Sequence, residues 1–234
     1  MIDKTVRTCG EAVDAVFDGA VIMLGGFGDS GLPGQLLEAV RRTGAKRLCV
    51  IHNGAGAGDW ALGGLIADGR VRKVTASFPN APGATAFEDL YSRGAIELEL
   101  VPQGTLAERI RAAGAGLGGF FTRTAAGTKL AAGKETRIID GREYVFEKPL
   151  PADFAMLRAH RADRLGNLQF RKAMRNFNVA MATAGKVTLA EVDELVPVGG
   201  IDPEDVHVPG IFVDRVVECP RHPKLVGIAA RQRS

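Results

Sequence analysis

Apolar segments alternate with segments of helical periodicity through the first half of the chain, and this alternation limits the fold more than any other feature. The segments AVIML, RLCVI, VRKVTAS and IELEL are separated by stretches of about ten residues whose apolar side chains recur at helical spacing. Strands and helices interleaved in this way form βαβ units with parallel strands. The sequence therefore predicts an α/β fold with an open, mostly parallel sheet and helices on both faces.

Loops rich in glycine or proline follow all four of these predicted strands. The carboxyl ends of parallel strands meet at one edge of a sheet, where open α/β sheets bind their ligands. We therefore expect a binding site at this edge. The loops are GGFGDSG (25–31), HNGAG (52–56), SFPNAPG (77–83) and VPQGT (101–105).

The second half of the chain adds a predicted β-hairpin as an insertion. Asp140 and Gly141 lie between the two halves of the segment 134–150, and an Asp-Gly pair is a strong signal for a hairpin turn. The preceding residues 114–127 are rich in glycine and predict a long functional loop. In the helix before that loop, Thr105 is the predicted N-cap residue.

Composition and charge exclude several classes of protein. A chain of 234 residues buries the core of one large α/β domain, which we expect over residues 1–220, followed by a basic, frayed tail over residues 221–234. The net charge is only +3 and the cations are spread out, which argues against nucleic acid binding. No apolar run reaches the ~20 residues of a membrane span, and the first residues lack a signal-peptide core. We expect a cytoplasmic protein that binds neither nucleic acid nor membrane.

The spacing of cysteines and histidines predicts neither a disulfide framework nor a metal site. Cys9, Cys49 and Cys219 are an odd number of widely spaced cysteines without a CxxC pair. Cys49 lies within an apolar strand and is expected to be a small buried side chain. No histidine forms an HxxxH pair, and His52 is expected to be a polar side chain at the sheet edge.

The loop GGFGDSG does not match a nucleotide-binding loop. A Walker loop requires a lysine after its last glycine, and Leu32 stands there. Gly26, Gly28 and Gly31 satisfy the GxGxxG pattern, but the next predicted strand ends in HNGAG rather than in an acidic residue, and Pro33 interrupts the expected helix. Considered alone, the loop leaves open a dinucleotide site and a tight turn without a ligand.

Two neutral amides, Asn53 and Gln103, lie at predicted strand ends beside glycines. Neutral amides do not act as bases or nucleophiles, but they donate hydrogen bonds to a carbonyl oxygen or a developing oxyanion. Glu97 and Glu99 alternate along a strand and are expected on one face. No glutamate lies in a loop of Gly and Asn residues that would desolvate its carboxylate and make it a nucleophile.

The segment DGAVIMLGGFGDSGLP (Asp18–Pro33) resembles the first signature of the family I coenzyme A transferases at every constrained position. The segments VPQGTLAERIRAAGAG, GKETRIIDGREYVFEKPLPADFA, AHRADRLGNLQFRKAMRNFN and DPEDVHVPGIFVDRVV resemble the alpha subunits of its 3-oxoacid branch. The likeness covers residues 1–217. The segments MIDKT, SFP and GKETRIIDGREYVFE are most similar to members that act on 3-oxoadipate, with acetoacetate-specific members close behind.

The resemblance implies a coenzyme A transferase fold and a chain active only with a B subunit, in a heterodimer or heterotetramer. In that family succinyl-CoA is attacked by a glutamate of the B subunit, and an anhydride leads to a glutamyl-CoA thioester that donates CoA to the 3-oxoacid. This chain is then expected to hold no catalytic nucleophile, no metal and no permanent cofactor, since coenzyme A arrives as substrate. The resemblance assigns Asn53 and Gln103 supporting roles. It assigns coenzyme A binding to Gly25, Gly26, Phe27, Gly28, Asp29, Ser30 and Gly31.

The chain departs from the family pattern in two places. The segment FFTRTAAGT (Phe120–Thr128) stands where relatives often have FYTPTGYGT, and Asn53-Gly54 where they often have two asparagines. We expect Arg123 to bind the second carboxylate of a dicarboxylic 3-oxoacid; the alternative is an exposed arginine on a mobile loop. Two other functions stay open. One is a family member specific for acetoacetate or a short-chain fatty acid, and the other is a non-catalytic domain that senses CoA or a sugar phosphate.

Overall fold

The computed structural model describes residues 2–80 and 82–219, so the expected tail over residues 221–234 lies outside the described residues. The strands are β1 (Thr5–Val6), β2 (Val21–Leu24), β3 (Leu48–Ile51), β4 (Val71–Ala76), β5 (Glu97–Leu100), β6 (Phe120–Thr122), β7 (Thr136–Ile139), β8 (Arg142–Glu147), β9 (Ala152–Asp163), β10 (Leu168–Gln169), β11 (Gly185–Val196) and β12 (Arg215–Glu218). The α-helices are α1 (Cys9–Ala12), α2 (Gly34–Thr43), α3 (Ala61–Ala67), α4 (Thr85–Ser92), α5 (Gln103–Gly114) and α6 (Asn176–Met181).

Nine of these strands form one sheet in the order β1-β12-β11-β9-β2-β3-β4-β5, with β10 paired to β9. All pairs along this order are parallel, and only β10 is antiparallel to its neighbour. The chain builds outward from β2 to β5 and then continues on the other side of β2 with β9. The winding direction therefore reverses between β2 and β9, which is where sheets of this kind bind ligands.

Helices cover both faces of this sheet, as the sequence predicts. Ile22 and Leu24 of β2 belong to the core that the first four helices cover, whereas Met23 faces the core formed with α5 and α6. The alternation follows from the two-residue period of a strand. Both faces of β2 are buried, which explains its uninterrupted apolar sequence.

The hairpin insertion is also present. β7 and β8 pair with each other, and β8 pairs with β6, so the small sheet has the order β6-β8-β7. Asp140 and Gly141 both have positive φ angles, 50° and 72°, as a two-residue hairpin turn requires. In the described ranges, no helix has the length and apolar character needed to cross a membrane.

Two local expectations were wrong. Helix α5 begins at Gln103, so Thr105 is not its N-cap but a buried residue of its first turn. Pro102 takes the N-cap position, with its φ already at −53° and its carbonyl accepting from Leu106 over 2.8 Å. The predicted loop 114–127 contains strand β6, because its two phenylalanines and a threonine pair with β8 despite the flanking glycines.

Candidate functional site

The predicted loops gather at the carboxyl edge of the sheet, and side chains join the ends of its strands. The ring Nδ1 of His52, after β3, lies 2.9 Å from the carbonyl oxygen of Leu24 at the end of β2. The backbone carbonyl of Asn53 accepts from the amide of Phe78, after β4, at 2.9 Å. Gln103, the first residue of α5, donates from Nε2 to Oδ1 of Asn53 at 2.7 Å. These contacts fix the positions of four strand ends relative to one another.

His52 is a structural residue at this edge rather than a base. Its side chain is buried, and burial lowers its pKa below the ordinary value against the smaller opposing effect of the hydrogen bond with Leu24. The ring is therefore neutral at pH 7 and donates from Nδ1 to the carbonyl oxygen of Leu24. Because Leu24 precedes the glycine loop, this bond connects the loop after β2 with the amide after β3.

The side-chain amide of Asn53 has a fixed orientation. Its Oδ1 accepts from Ser77 Oγ at 2.9 Å and from Gln103 Nε2 at 2.7 Å. Its Nδ2 has no hydrogen-bond partner among the residues that the structure describes. An amide held in this way is a preorganised donor toward a carbonyl oxygen. The structure thus brings together Asn53 and Gln103 and adds Ser77, which the sequence analysis did not single out.

The glycine loop folds into a tight hairpin of its own. Phe27 and Ser30 exchange backbone hydrogen bonds of 3.0 and 3.2 Å, with Gly28 between them at a φ of 57°. The Phe27 side chain is half exposed. Helix α2 starts only at Gly34, so the loop does not run directly into a helix. This geometry differs from that of a dinucleotide-binding turn, in which the glycines open the helix.

The N-terminus of α2 is already occupied by a carboxylate. Oε2 of Glu191 accepts from the amide of Leu36 at 2.8 Å, and its other oxygen pairs with buried Arg158. In a dinucleotide site this helix end would hold the pyrophosphate. The side chain of Glu191 therefore fills the position that a dinucleotide would need, which argues against that alternative.

Two asparagines from the second half of the chain hold the glycine loop in place. Asn176 accepts from the amide of Gly26 at 3.1 Å and donates to the carbonyl of Ser30 at 2.8 Å. Asn178 is fully buried and donates to the carbonyl of Gly31 at 3.1 Å. A Cβ on Gly31 would lie 2.7 Å from Nδ2 of Asn178, so the close approach requires glycine there. The sequence carries no local signal for this contact, because the partners are about 150 residues apart.

The buried or half-buried glutamates of the central and hairpin sheets are held by cations. Glu99 accepts from Lys73 at 2.6 Å and from Arg109 at 2.8 Å, and Glu147 accepts from Lys134 at 2.6 Å. Burial raises the pKa of Glu99, but the bonds from Lys73 and Arg109 outweigh it and bring the pKa to about 2. A carboxylate stabilised to this extent is a weak nucleophile. The sequence analysis did not single out these pairings.

Arg123 lies apart from the contacts described so far. It follows β6, is exposed, and its carbonyl accepts from Ala126 at 3.2 Å in a turn where Ala125 has a φ of 70°. Within the described residues no contact joins it to Asn53 or Gln103, so its role stays a prediction. The described part of the chain contains no group of three or more His, Cys, Asp or Glu residues able to hold a metal ion.

Comparison with known proteins gives the family. The profile described as Coenzyme A transferase matches residues 6–219. The chain is 54% identical over 217 residues to the A subunit of the 3-oxoadipate CoA-transferase of Pseudomonas putida, covering 93% of this chain and 94% of that protein. It is 46% identical over 214 residues to the A subunit of a probable succinyl-CoA:3-ketoacid coenzyme A transferase of Bacillus subtilis, covering 92% and 89% of the two chains.

A solved structure shows the same fold. The acyl-CoA transferase of E. coli O157:H7, in a thioester complex with CoA, aligns with a TM-score of 0.81 at 22% identity. The alignment covers 97% of this chain and 49% of that one, so the chain spans about half the length of that protein. The profile match, the similarity to two curated subunits and the shared fold agree with the glycine loop and amide pair at the sheet edge. The chain belongs to the coenzyme A transferase family.

Proposed function

We propose that this chain is the A subunit of a heteromeric transferase that moves coenzyme A from succinyl-CoA to a 3-oxoacid, with 3-oxoadipate as the preferred acceptor. The observation that carries the acceptor is the 54% identity, over 94% of its length, to a protein named for 3-oxoadipate. The identity to the relative named for 3-ketoacids is lower, at 46%. Both relatives are named as one of two kinds of subunit, and this naming supports a partner B subunit.

The chemistry of the proposed reaction needs a carboxylate nucleophile from the partner. The two buried glutamates of the described chain are engaged, Glu147 by Lys134 and Glu191 by Arg158 and the amide of Leu36. A partner glutamate attacks the thioester carbon of succinyl-CoA and releases the CoA thiolate, leaving a mixed anhydride. The thiolate then attacks the glutamyl carbonyl of the anhydride, which gives glutamyl-CoA and succinate. The 3-oxoacid carboxylate takes the CoA by the reverse steps.

The role of this chain in those steps is electrostatic and positional. Each attack on a carbonyl places negative charge on its oxygen, and the free Nδ2 of Asn53 donates to that oxygen. Gln103 holds Asn53 in the required orientation and opens helix α5, whose N-terminus favours negative charge at the same edge. The loop from Gly25 to Gly31 approaches the thioester arm of CoA with bare backbone and with the exposed ring of Phe27. No cation of the loop competes for the partner carboxylate.

Reconstitution with a cognate B subunit tests this function. The purified chain is mixed with succinyl-CoA and either 3-oxoadipate or acetoacetate, with and without B, and acyl-CoA products are measured. We expect no turnover without B, and with B a kcat/KM for 3-oxoadipate at least tenfold above that for acetoacetate. Intact-mass analysis of B after incubation with succinyl-CoA alone should show a CoA adduct on B and none on this chain.

The alternatives give different results in the same experiment. A higher kcat/KM for acetoacetate or a short-chain fatty acid would make this a differently specific member of the family. Binding of CoA by the chain alone, with no transfer when B is added, would instead support a sensor. Turnover by the chain alone would overturn the division of roles between the two subunits.

A further inference from the structure

Two cysteines that are far apart in the sequence meet at the edge of the large sheet. Cys9 is the first residue of α1, and Cys219 directly follows β12. Their sulfur atoms lie 3.0 Å apart. Strand β1 pairs in parallel with β12, with Val6 opposite Val217, and each cysteine lies just beyond this pair. The contact is therefore a consequence of the strand register and not of a flexible surface segment.

The two thiols have different surroundings. Cys219 is buried, whereas Cys9 is only partly buried, so a small molecule reaches Cys9 first. The thiol of Cys219 donates a hydrogen bond to the sulfur of Cys9, which lowers the pKa of Cys9 and raises that of Cys219. The lowered pKa makes Cys9 the better nucleophile of the two. Cys49 lies elsewhere, buried within β3.

We propose that Cys9 and Cys219 are a thiol modification site at which a low-molecular-weight disulfide, such as oxidised glutathione, produces an intramolecular disulfide. The Cys9 thiolate attacks one sulfur of the reagent and forms a mixed disulfide, and one thiolate leaves. The Cys219 thiolate then attacks the Cys9 sulfur of the mixed disulfide and displaces the second thiolate. Two protein thiols are oxidised, one reagent disulfide is reduced to two thiols, and the two protons go to those thiols.

The spacing and the fold favour closure of this bond. The sulfur atoms are about 1 Å farther apart than in a disulfide, so a small movement of the Cys9 side chain is sufficient. The bond would connect positions 210 residues apart and hold the first strand and helix against the last strand. A cross-link across so long a stretch restricts the unfolded chain strongly. The inference rests on this geometry and does not depend on the proposed function.

Peptide mapping of the full chain tests the proposal. The reduced protein is incubated with oxidised glutathione, alkylated and digested with trypsin under non-reducing conditions. We expect a linked pair of peptides, residues 8–41 with residues 216–221, and an alkylated Cys49 in the peptide 48–70. Titration of thiols in denaturant should fall from three per chain to one. The oxidised form should unfold at a temperature higher by about 5 °C or more, reversibly with a reducing agent.

Single variants separate this site from general oxidation. Cys49→Ser is the matched control and should keep both the linked peptides and the thermal shift. Cys219→Ser should stop at the first step and accumulate a mixed disulfide on Cys9, while Cys9→Ser should form neither product. Should a variant fail to fold, the mapping of the unmodified chain decides by itself. Three free thiols after incubation, or linked peptides that contain Cys49, would overturn the proposal.

Discussion

Gln103 and Asn53 are joined side chain to side chain at the carboxyl edge of the sheet, with Nε2 of Gln103 2.7 Å from Oδ1 of Asn53. The two residues come from different βα connections, the ends of β3 and β5. Because a second donor, Ser77 Oγ, reaches the same oxygen, the amide of Asn53 presents its nitrogen to the site. The pair makes the role proposed for this edge accessible to mutation.

Removal of these amides should reduce turnover and leave the fold intact. Asn53→Ala removes the free donor, and we expect kcat of the reconstituted enzyme to fall by about 10²–10³-fold, the loss typical of one oxyanion donor. Gln103→Ala leaves Ser77 on the Asn53 oxygen, so a smaller loss of about tenfold is expected. Glu108→Ala is the control on the same helix, because that side chain pairs only with exposed Arg111. Equal rates for Asn53→Ala and the control would refute the assigned role.

Two glycines of the same loop should respond differently to alanine. A Cβ on Gly25 would overlap the side-chain oxygen of Asn178, which also accepts from the amide of Arg158 at 3.0 Å. Gly28 has open space around it and a φ of 57°, so alanine there costs only about 1–2 kcal/mol of backbone strain. We expect Gly25→Ala to raise the KM for succinyl-CoA by tenfold or more and Gly28→Ala to change it little.

Steady-state kinetics and urea unfolding of both variants check this expectation. A similar KM for the two variants would show that the contact between the loop and Asn178 does not control binding of the acyl-CoA. Loss of folding in Gly25→Ala would still be informative through Asn178→Ala. That variant removes the same contact from the other side and, by vacating a buried amide, should destabilise the chain by about 1–3 kcal/mol.

The sheet and the glycine loop were predictable because their signals are local. Strand and helix periods repeat every two or 3.6 residues, and the glycines follow directly after the apolar segment of β2. The side chains that hold the loop were not predictable in this way. Asn176 and Glu191 contact it or the helix after it from more than 140 residues away, through the pairing of β2 with β9. A single sequence contains no period that links such positions.

The position of Thr105 shows a second limit of local patterns. A threonine three residues before a glutamate is typical of a helix start, yet the helix begins two residues earlier, at Gln103. The earlier start places the amide side chain beside Asn53 and buries the threonine. The strand-end contact therefore decided the first turn, and the capping preference of threonine did not.

The ion pairs of Glu99 should make stability depend on pH in acid. The pKa of this carboxyl is about 2 in the folded chain, below its ordinary value of 4.5, so its stabilising effect is complete above pH 4.5. That effect is lost as the pH falls from 4.5 toward 2. We expect Glu99→Gln to lower the free energy of unfolding at pH 7 by about 1–2 kcal/mol, after allowance for partial exposure.

Urea unfolding of wild type and variant between pH 7 and pH 2 measures this difference. The gap between the two should narrow through the window from pH 4.5 to 2. Glu97→Gln is the control on the same strand, since its carboxylate is exposed and lies 4.0 Å from Arg72. A change of less than about 0.5 kcal/mol is expected for it. A constant gap at all pH values would assign the effect of Glu99→Gln to packing rather than to charge.

Arg123 should affect the acceptor and not the donor if it binds the second carboxylate of 3-oxoadipate. It is exposed and follows β6 in the small antiparallel sheet, where a bidentate contact with a ligand carboxylate is sterically open. We expect Arg123→Ala to raise the KM for 3-oxoadipate by about tenfold while the KM for acetoacetate, which lacks the second carboxylate, stays within twofold. Arg142→Ala, an exposed arginine of the same sheet, should leave both values unchanged. Equal effects of Arg123→Ala on the two acceptors would exclude a role in recognising the dicarboxylate.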